Sequence, residues 1–218
     1  MPKHYQTLIL DYDGTLHNSI HIYEPAFRKA YAYLLNAYGG QEKTWSQAEI
    51  KQFLGQSPKE MWANFPLEYS SQAKQEASQI ITQTMQELLD KKHAVLYDHA
   101  LEVLRKLKAR GYHLIFLSNC KMQYKATHDK TFDLSKYFDT LICTEEYDYA
   151  PKEDIIKVIK QNYPADYAII GDRYHDINAG IKTNITTVAC TYGFGSKEEL
   201  EPATYHIDNI KALLTIFE

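Results

Sequence analysis

The chain is short of cysteine, of long apolar runs and of excess positive charge. Its three cysteines, Cys120, Cys143 and Cys190, lie apart in apolar runs with no CxxC spacing. That excludes a disulfide or zinc framework and fits small core residues in a reducing cytosol. No apolar run is long enough to span a bilayer, and no N-terminal segment has the basic, apolar and small-residue order of a signal peptide. With 24 Lys and Arg against 28 Asp and Glu, the net charge is −4, which argues against a nucleic-acid partner held by bulk electrostatics. A cytoplasmic protein with neither nucleic-acid nor membrane partners is therefore expected. Internal repeats and low-complexity segments are lacking too, and the nine histidines are not read as a zinc site. Tyrosine, by contrast, is abundant, with 18 residues in a chain of 218. That length suits one large domain or a domain carrying an insertion.

The most informative stretch is Asp11-Tyr12-Asp13-Gly14-Thr15-Leu16, directly after the apolar run Leu8-Ile9-Leu10. A short apolar run closed by a turn signal predicts a buried strand whose tip reaches the surface. Carboxylates two residues apart on an extended segment point the same way, so Asp11 and Asp13 can face one ligand. Like charges this close are costly unless a cation compensates them. The chemistry that fits is a carboxylate nucleophile, a second carboxyl that moves protons, and a divalent metal.

Further apolar runs, Leu114 to Leu117, Ala168 to Ile170 and Thr187 to Cys190, predict buried parallel strands, and Tyr137 to Thr144 can hold another. Helical patterns separate them. One carries Leu101, Leu104 and Leu107, with Asp98 as its expected cap and Gly111 as its stop; another runs from Glu153 to Gln161. Strand and helix alternate, which predicts βαβ units in a doubly wound α/β sheet that binds ligands at its strands' carboxyl ends. Residues 19–92 break the alternation. They show an amphipathic stripe from Tyr23 to Tyr38, two capping boxes (Ser46 with Glu49, Ser57 with Glu60) and a long helix from Ser71 to Lys92. The expected organisation is a core of residues 1–18 and 93–218 with an all-helical insert of residues 19–92.

Three more groups stand at predicted strand tips or helix starts. Ser118-Asn119 follows Leu114-Ile115-Phe116-Leu117, where a hydroxyl and an amide can donate hydrogen bonds to an anion. Lys152 opens the Pro151-Lys152-Glu153-Asp154-Ile155-Ile156 segment and can serve as a compact fixed cation. Gly171-Asp172-Arg173-Tyr174-His175-Asp176-Ile177 follows Ala168-Ile169-Ile170 and carries two more carboxylates. Late in the chain, Ser196 and Glu199 predict a third capping box after Gly193-Phe194-Gly195.

Taken in chain order, these groups resemble the four motifs of the haloacid dehalogenase-like phosphohydrolases. Pro-Lys-Glu-Asp-Ile-Ile looks like the Lys-x-x-Ile variant of the phosphoglycolate phosphatase-like branch. The resemblance covers nearly the whole chain and implies a Rossmann-like core with a helical cap of the C1 type. It also implies Mg²⁺ held by the Asp11 carboxylate, the Asp13 backbone carbonyl and Asp172, with Asp176 behind them or capping its helix. Asp11 would attack phosphorus, Asp13 would serve as acid and base, and Ser118 and Lys152 would neutralise the phosphoryl oxygens. Thr15 and Asn119 would help bind substrate, and the cap loop with Gln56, Ser57 and Lys59 would select it. The implied partner is a small phosphorylated metabolite, and the implied assembly a monomer or homodimer. A phosphomutase of the β-phosphoglucomutase type, a nucleotide or pyrophosphate phosphohydrolase and a non-catalytic metabolite-binding protein are the alternatives. Asp13 argues against a dehalogenase and Thr15 tilts against a mutase.

Overall fold

The computed structural model describes residues 5–218. They form two compact units, one ending at His17 and resuming at Leu96, the other spanning Asn18–Val95. In chain order the elements are strand β1 (Thr7–Leu10), helices α1 (Ile20–Tyr38), α2 (Gln47–Lys51), α3 (Pro58–Asn64), α4 (Ser71–Asp90) and α5 (Ala100–Ala109), then β2 (His113–Ser118), α6 (Met122–Phe132), β3 (Thr140–Cys143), α7 (Lys152–Asn162), β4 (Tyr167–Gly171), α8 (Tyr174–Lys182), β5 (Thr186–Cys190), α9 (Lys197–Leu200), β6 (Tyr205–Ile207) and α10 (Leu213–Ile216).

The α/β unit is built on one six-stranded sheet of order β3-β2-β1-β4-β5-β6, in which every neighbouring pair is parallel. Strand residues alternate between two buried faces, as period-two geometry demands. Leu8, Leu10, Phe116 and Ile170 pack on one face with Val103, Leu104 and Leu107 of α5. Ile9, Ile115, Leu117 and Ile169 pack on the other with Ile155, Ile156 and Ile159 of α7. From β1 the chain builds outward to β2 and β3, then crosses back to lay β4 on the opposite side of β1. This reversal puts a topological switch point between β1 and β4, where such sheets bind ligands.

The helical unit is held by its own aromatic core. Phe27 meets Trp45 at 5.0 Å and Phe53 at 5.6 Å, and Trp45 stacks on Phe65 at 5.3 Å. Tyr33 and Tyr38 of α1 both donate to Glu76 of α4, at 2.6 and 2.7 Å. The boxes at Ser46 and Ser57 are both formed reciprocally with Glu49 and Glu60.

Two local expectations need correction. Asp98 does not cap α5: His99 is the N-cap, in a left-handed conformation at φ 67°, and its ring turns to Glu102. Ser196 does cap α9, but Glu199 does not reciprocate, because its carboxylate binds Arg173 at 2.9 Å instead. The edge strand β6 escaped the sequence pattern, since only Ile207 of its three residues is buried. All three cysteines are free and buried, and no helix among the described residues is long and apolar enough to cross a membrane.

Candidate active site

The Asp11 N–H continues the β1–β4 ladder by donating to the Ile170 carbonyl at 2.9 Å, which fixes the backbone from which its carboxylate emerges. Asp172 follows β4, and Asp176 sits in the first turn of α8. Carboxylate oxygens of Asp11, Asp172 and Asp176 lie within 4.8 Å of one another, and all three residues are buried. Lys152, the first residue of α7, is buried as well; its Nζ donates to Asp11 Oδ1 and Asp176 Oδ1 at 2.7 Å each. Asp176 also accepts from the Arg173 N–H at 3.2 Å, closing the start of its own helix.

Asp172 is held by backbone that only glycine permits. Phe194 N–H donates to its Oδ2 at 2.7 Å, and Thr15 Oγ1 reaches its Oδ1 at 3.4 Å. Gly14 has φ +84°, and a Cβ there would stand 2.0 Å from Asp172 Oδ2. The first motif's glycine thus lets the chain turn and a carboxylate approach at once.

Electrostatics mark this cluster as short of positive charge. Burial, then the Asp176 charge, push the Asp11 carboxyl up to about 7, against the pull of Lys152. Burial and the Asp11 and Asp176 charges drive Asp172 well above the usual carboxylate range, opposed by the Phe194 N–H and Arg173. Burial disfavours the Lys152 ammonium, yet Asp11 and Asp176 hold it above the ordinary lysine value. Three buried carboxylates sharing one lysine form an all-oxygen donor set that suits a hard divalent cation such as Mg²⁺.

Asp13 faces a different environment. Its Oδ1 is 2.8 Å from His17 Nδ1 and accepts from the Tyr124 hydroxyl at 2.8 Å. Burial pushes its carboxyl up, but these bonds and the neighbouring imidazoles outweigh it and leave Asp13 below its ordinary value. Tyr12, between the two aspartates, points into the core and hydrogen-bonds His128 Nδ1 at 2.7 Å. Tyr192 donates to the Thr15 carbonyl at 2.8 Å. None of these partners had been singled out in the sequence, where their signal is the spacing: Asp13 and His17, like Tyr124 and His128, stand four apart.

The other candidates fall as follows. Ser118 ends β2, beside β1, and is buried, with the half-buried Asn119 next to it. Gln56, Ser57 and Lys59 belong to the helical unit. There Gln56 donates to the Gln52 carbonyl and accepts from Asn64, Ser57 caps α3, and Lys59 is exposed on its first turn.

A doubly wound parallel sheet with acidic side chains and a buried lysine at its switch point defines a Rossmann-like α/β enzyme core. The chain belongs to the haloacid dehalogenase-like hydrolase family, whose sequence model matches residues 8–190. It is 25% identical to a pyrophosphatase, PpaX, of Oceanobacillus iheyensis, covering 97% of this chain and 96% of that protein. A phosphoglycolate phosphatase of Psychrobacter arcticus is 24% identical, covering 96% and 94%. Among solved structures, a predicted phosphoglycolate phosphatase from Haemophilus somnus superposes with a TM-score of 0.83 at 18% identity, covering 99% of each chain.

Proposed function

We propose that this hydrolase is a Mg²⁺-dependent phosphatase that cleaves a small phosphate monoester through an aspartyl phosphate on Asp11. One observation carries the reading. Asp11 stands in the lysine-bridged carboxylate cluster at the switch point, while Asp13, two residues on, is kept apart by His17 and Tyr124. Two carboxylates in contrasting environments suit two roles. Asp11, Asp172 and the Asp13 carbonyl would hold Mg²⁺, which supplies positive charge against the phosphoryl oxygens. Asp11 attacks phosphorus, and the P–O bond to the leaving alcohol breaks. Asp13 gives that alcohol its proton and takes one back from the water that hydrolyses the acyl phosphate. Lys152 holds Asp11 in place and offers its charge to the incoming phosphate, with the Ser118 hydroxyl and Asn119 amide as further donors. Asp176 anchors Lys152 from behind.

The test is a substrate assay with and without EDTA, joined to acid-quench trapping of phosphorylated protein. Asp11→Asn is expected to lose turnover and the trapped phosphate while keeping its fold; near-normal activity in that variant would sink the covalent reading. The physiological substrate should emerge from a screen of phosphoglycolate, sugar phosphates and nucleotides, with the anhydrides acetyl phosphate and pyrophosphate alongside. Pyrophosphate is a specific second reading, because a relative named for it matches as well as the one named for phosphoglycolate.

A further inference from the structure

Around Asp13 the structure gathers four aromatic side chains that the proposed chemistry does not use. Tyr12 and His17 come from the turn after β1, and Tyr124 and His128 from one face of α6. His17 stacks on Tyr12 at 5.2 Å between ring centroids and meets His128 edge-on at 4.8 Å, while Tyr124 lies 4.0 Å from His128. His17 and His128 are fully buried, and Nε2 of each has no hydrogen-bond partner. Each ring is therefore anchored through Nδ1 alone: His17 to Asp13, His128 to Tyr12.

We propose that Tyr124 and His17 are positioning residues that fix which oxygen of Asp13 moves the proton. A carboxylate only accepts hydrogen bonds, so His17 Nδ1–H and the Tyr124 hydroxyl both donate, and both converge on Oδ1. The two donors also lie 3.2 Å from each other, so they form a closed triangle with that oxygen. With Oδ1 doubly engaged, the proton destined for the leaving alcohol is carried on Oδ2. A carboxyl free to rotate would divide its time between oxygens and lose the alignment that proton transfer needs. The Tyr12–His128 bond ties α6, and with it Tyr124, to the residue between the two aspartates. This inference rests on the reading of Asp13 as the acid.

The experiment compares kcat/KM for p-nitrophenyl phosphate, whose leaving phenolate needs little help from an acid, with that for an alkyl phosphate such as β-glycerophosphate, whose alkoxide needs a proton. Because kcat/KM reports only steps up to departure of the alcohol, the shared hydrolysis of the acyl phosphate does not enter. Tyr124→Phe and His17→Leu should lower the alkyl value about tenfold or more while changing the nitrophenyl value less than about threefold, a fraction of the ~10²–10⁴ typical for losing a general acid outright. His17→Asn, whose amide N–H can stand where Nδ1–H stood, should restore most of the alkyl activity. Equal losses on both substrates, no loss on either, or failure of His17→Asn to rescue would overturn the proposal. Asp13→Asn run alongside separates the two levels. If it too ignores the leaving group, the assignment of Asp13 as the acid fails; if it alone is selective, only the positioning role fails.

Discussion

Lys152 joins two carboxylates, Asp11 and Asp176, that have almost no contact with solvent to soften their repulsion. Its aliphatic stem and charge both reach the site from the first turn of α7, where a lysine is ordinarily solvated. Removing one partner from a buried ionic cluster leaves the others uncompensated, typically at a cost of about 3–5 kcal/mol. Lys152→Met is therefore expected to lose stability on that scale when unfolded by denaturant in EDTA. A loss below about 1 kcal/mol would show that the carboxylates relax toward water and that the lysine is not what holds them together. The sequence made Lys152 legible because it opens a helix in the right chain order. It gave no sign that Asp176 shares the same ammonium, since that contact joins residues 24 positions apart across α7 and α8.

At the scale of elements, α6 is the least amphipathic in appearance of the core helices, and its one fully buried side chain is a histidine. Burial, reinforced by the neighbouring His17, pushes His128 down to about 3, with the Asp13 charge opposing. Tyr12, Asp13, His17 and Tyr124 are the titratable groups around it. In the unfolded chain the same imidazole titrates near 6.5, so between those values the unfolded state binds the extra proton. The contribution of this ring to stability then falls as pH is lowered from about 6.5 and recovers on return to neutrality, whereas the raised Asp11 carboxyl acts in the opposite direction. From pH 7 to 5 the contribution is about 2 kcal/mol. On going from pH 7 to 5 the parent should lose about that much stability relative to His128→Gln in denaturant unfolding, and parallel curves would mean the ring already takes up a proton in the fold. Strands β1 to β5 were readable because each is a short apolar run, whereas β6, with one buried residue, was not. The histidine–tyrosine cluster was not, because Tyr12 and His128 are 116 positions apart and their meeting depends on how α6 lies against β1. Asp98 and Glu199 misled for a related reason: each has the right residue type for a cap, but a left-handed His99 and a competing Arg173 decide the local geometry.

For the whole molecule, the groups proposed for catalysis and the loop proposed to select substrate fall in different units. The chemical groups all belong to the α/β unit, whereas the loop proposed to select substrate, with Gln56, Ser57 and Lys59, belongs to the helical one. Within that loop Gln56 and Ser57 have local hydrogen-bond partners and Lys59 is exposed. If Lys59 recognises an anionic substrate, Lys59→Ala should lower the ratio of kcat/KM for the best natural monoester to that for p-nitrophenyl phosphate about tenfold. An unchanged ratio would exclude Lys59 and leave Gln56 and Ser57 to be tested. The family's motifs were legible because each sits at a strand tip or helix start; the substrate was not, because one loop on a separate unit says little without its ligand.

The sheet order has a consequence for synthesis. β1 is made well before its neighbours β2 and β4, which start only at residues 113 and 167. A ribosome adding 5–20 residues per second leaves Leu8, Ile9 and Leu10 without β4 for on the order of ten seconds. The intervening helical unit, by contrast, has all of its own chain as soon as Val95 has emerged. The nascent protein thus passes through a stage in which the helical unit can close while an apolar strand waits unpaired. Ribosome-stalled chains ending between residues 100 and 160 should be the ones that chaperones bind and that aggregate most readily.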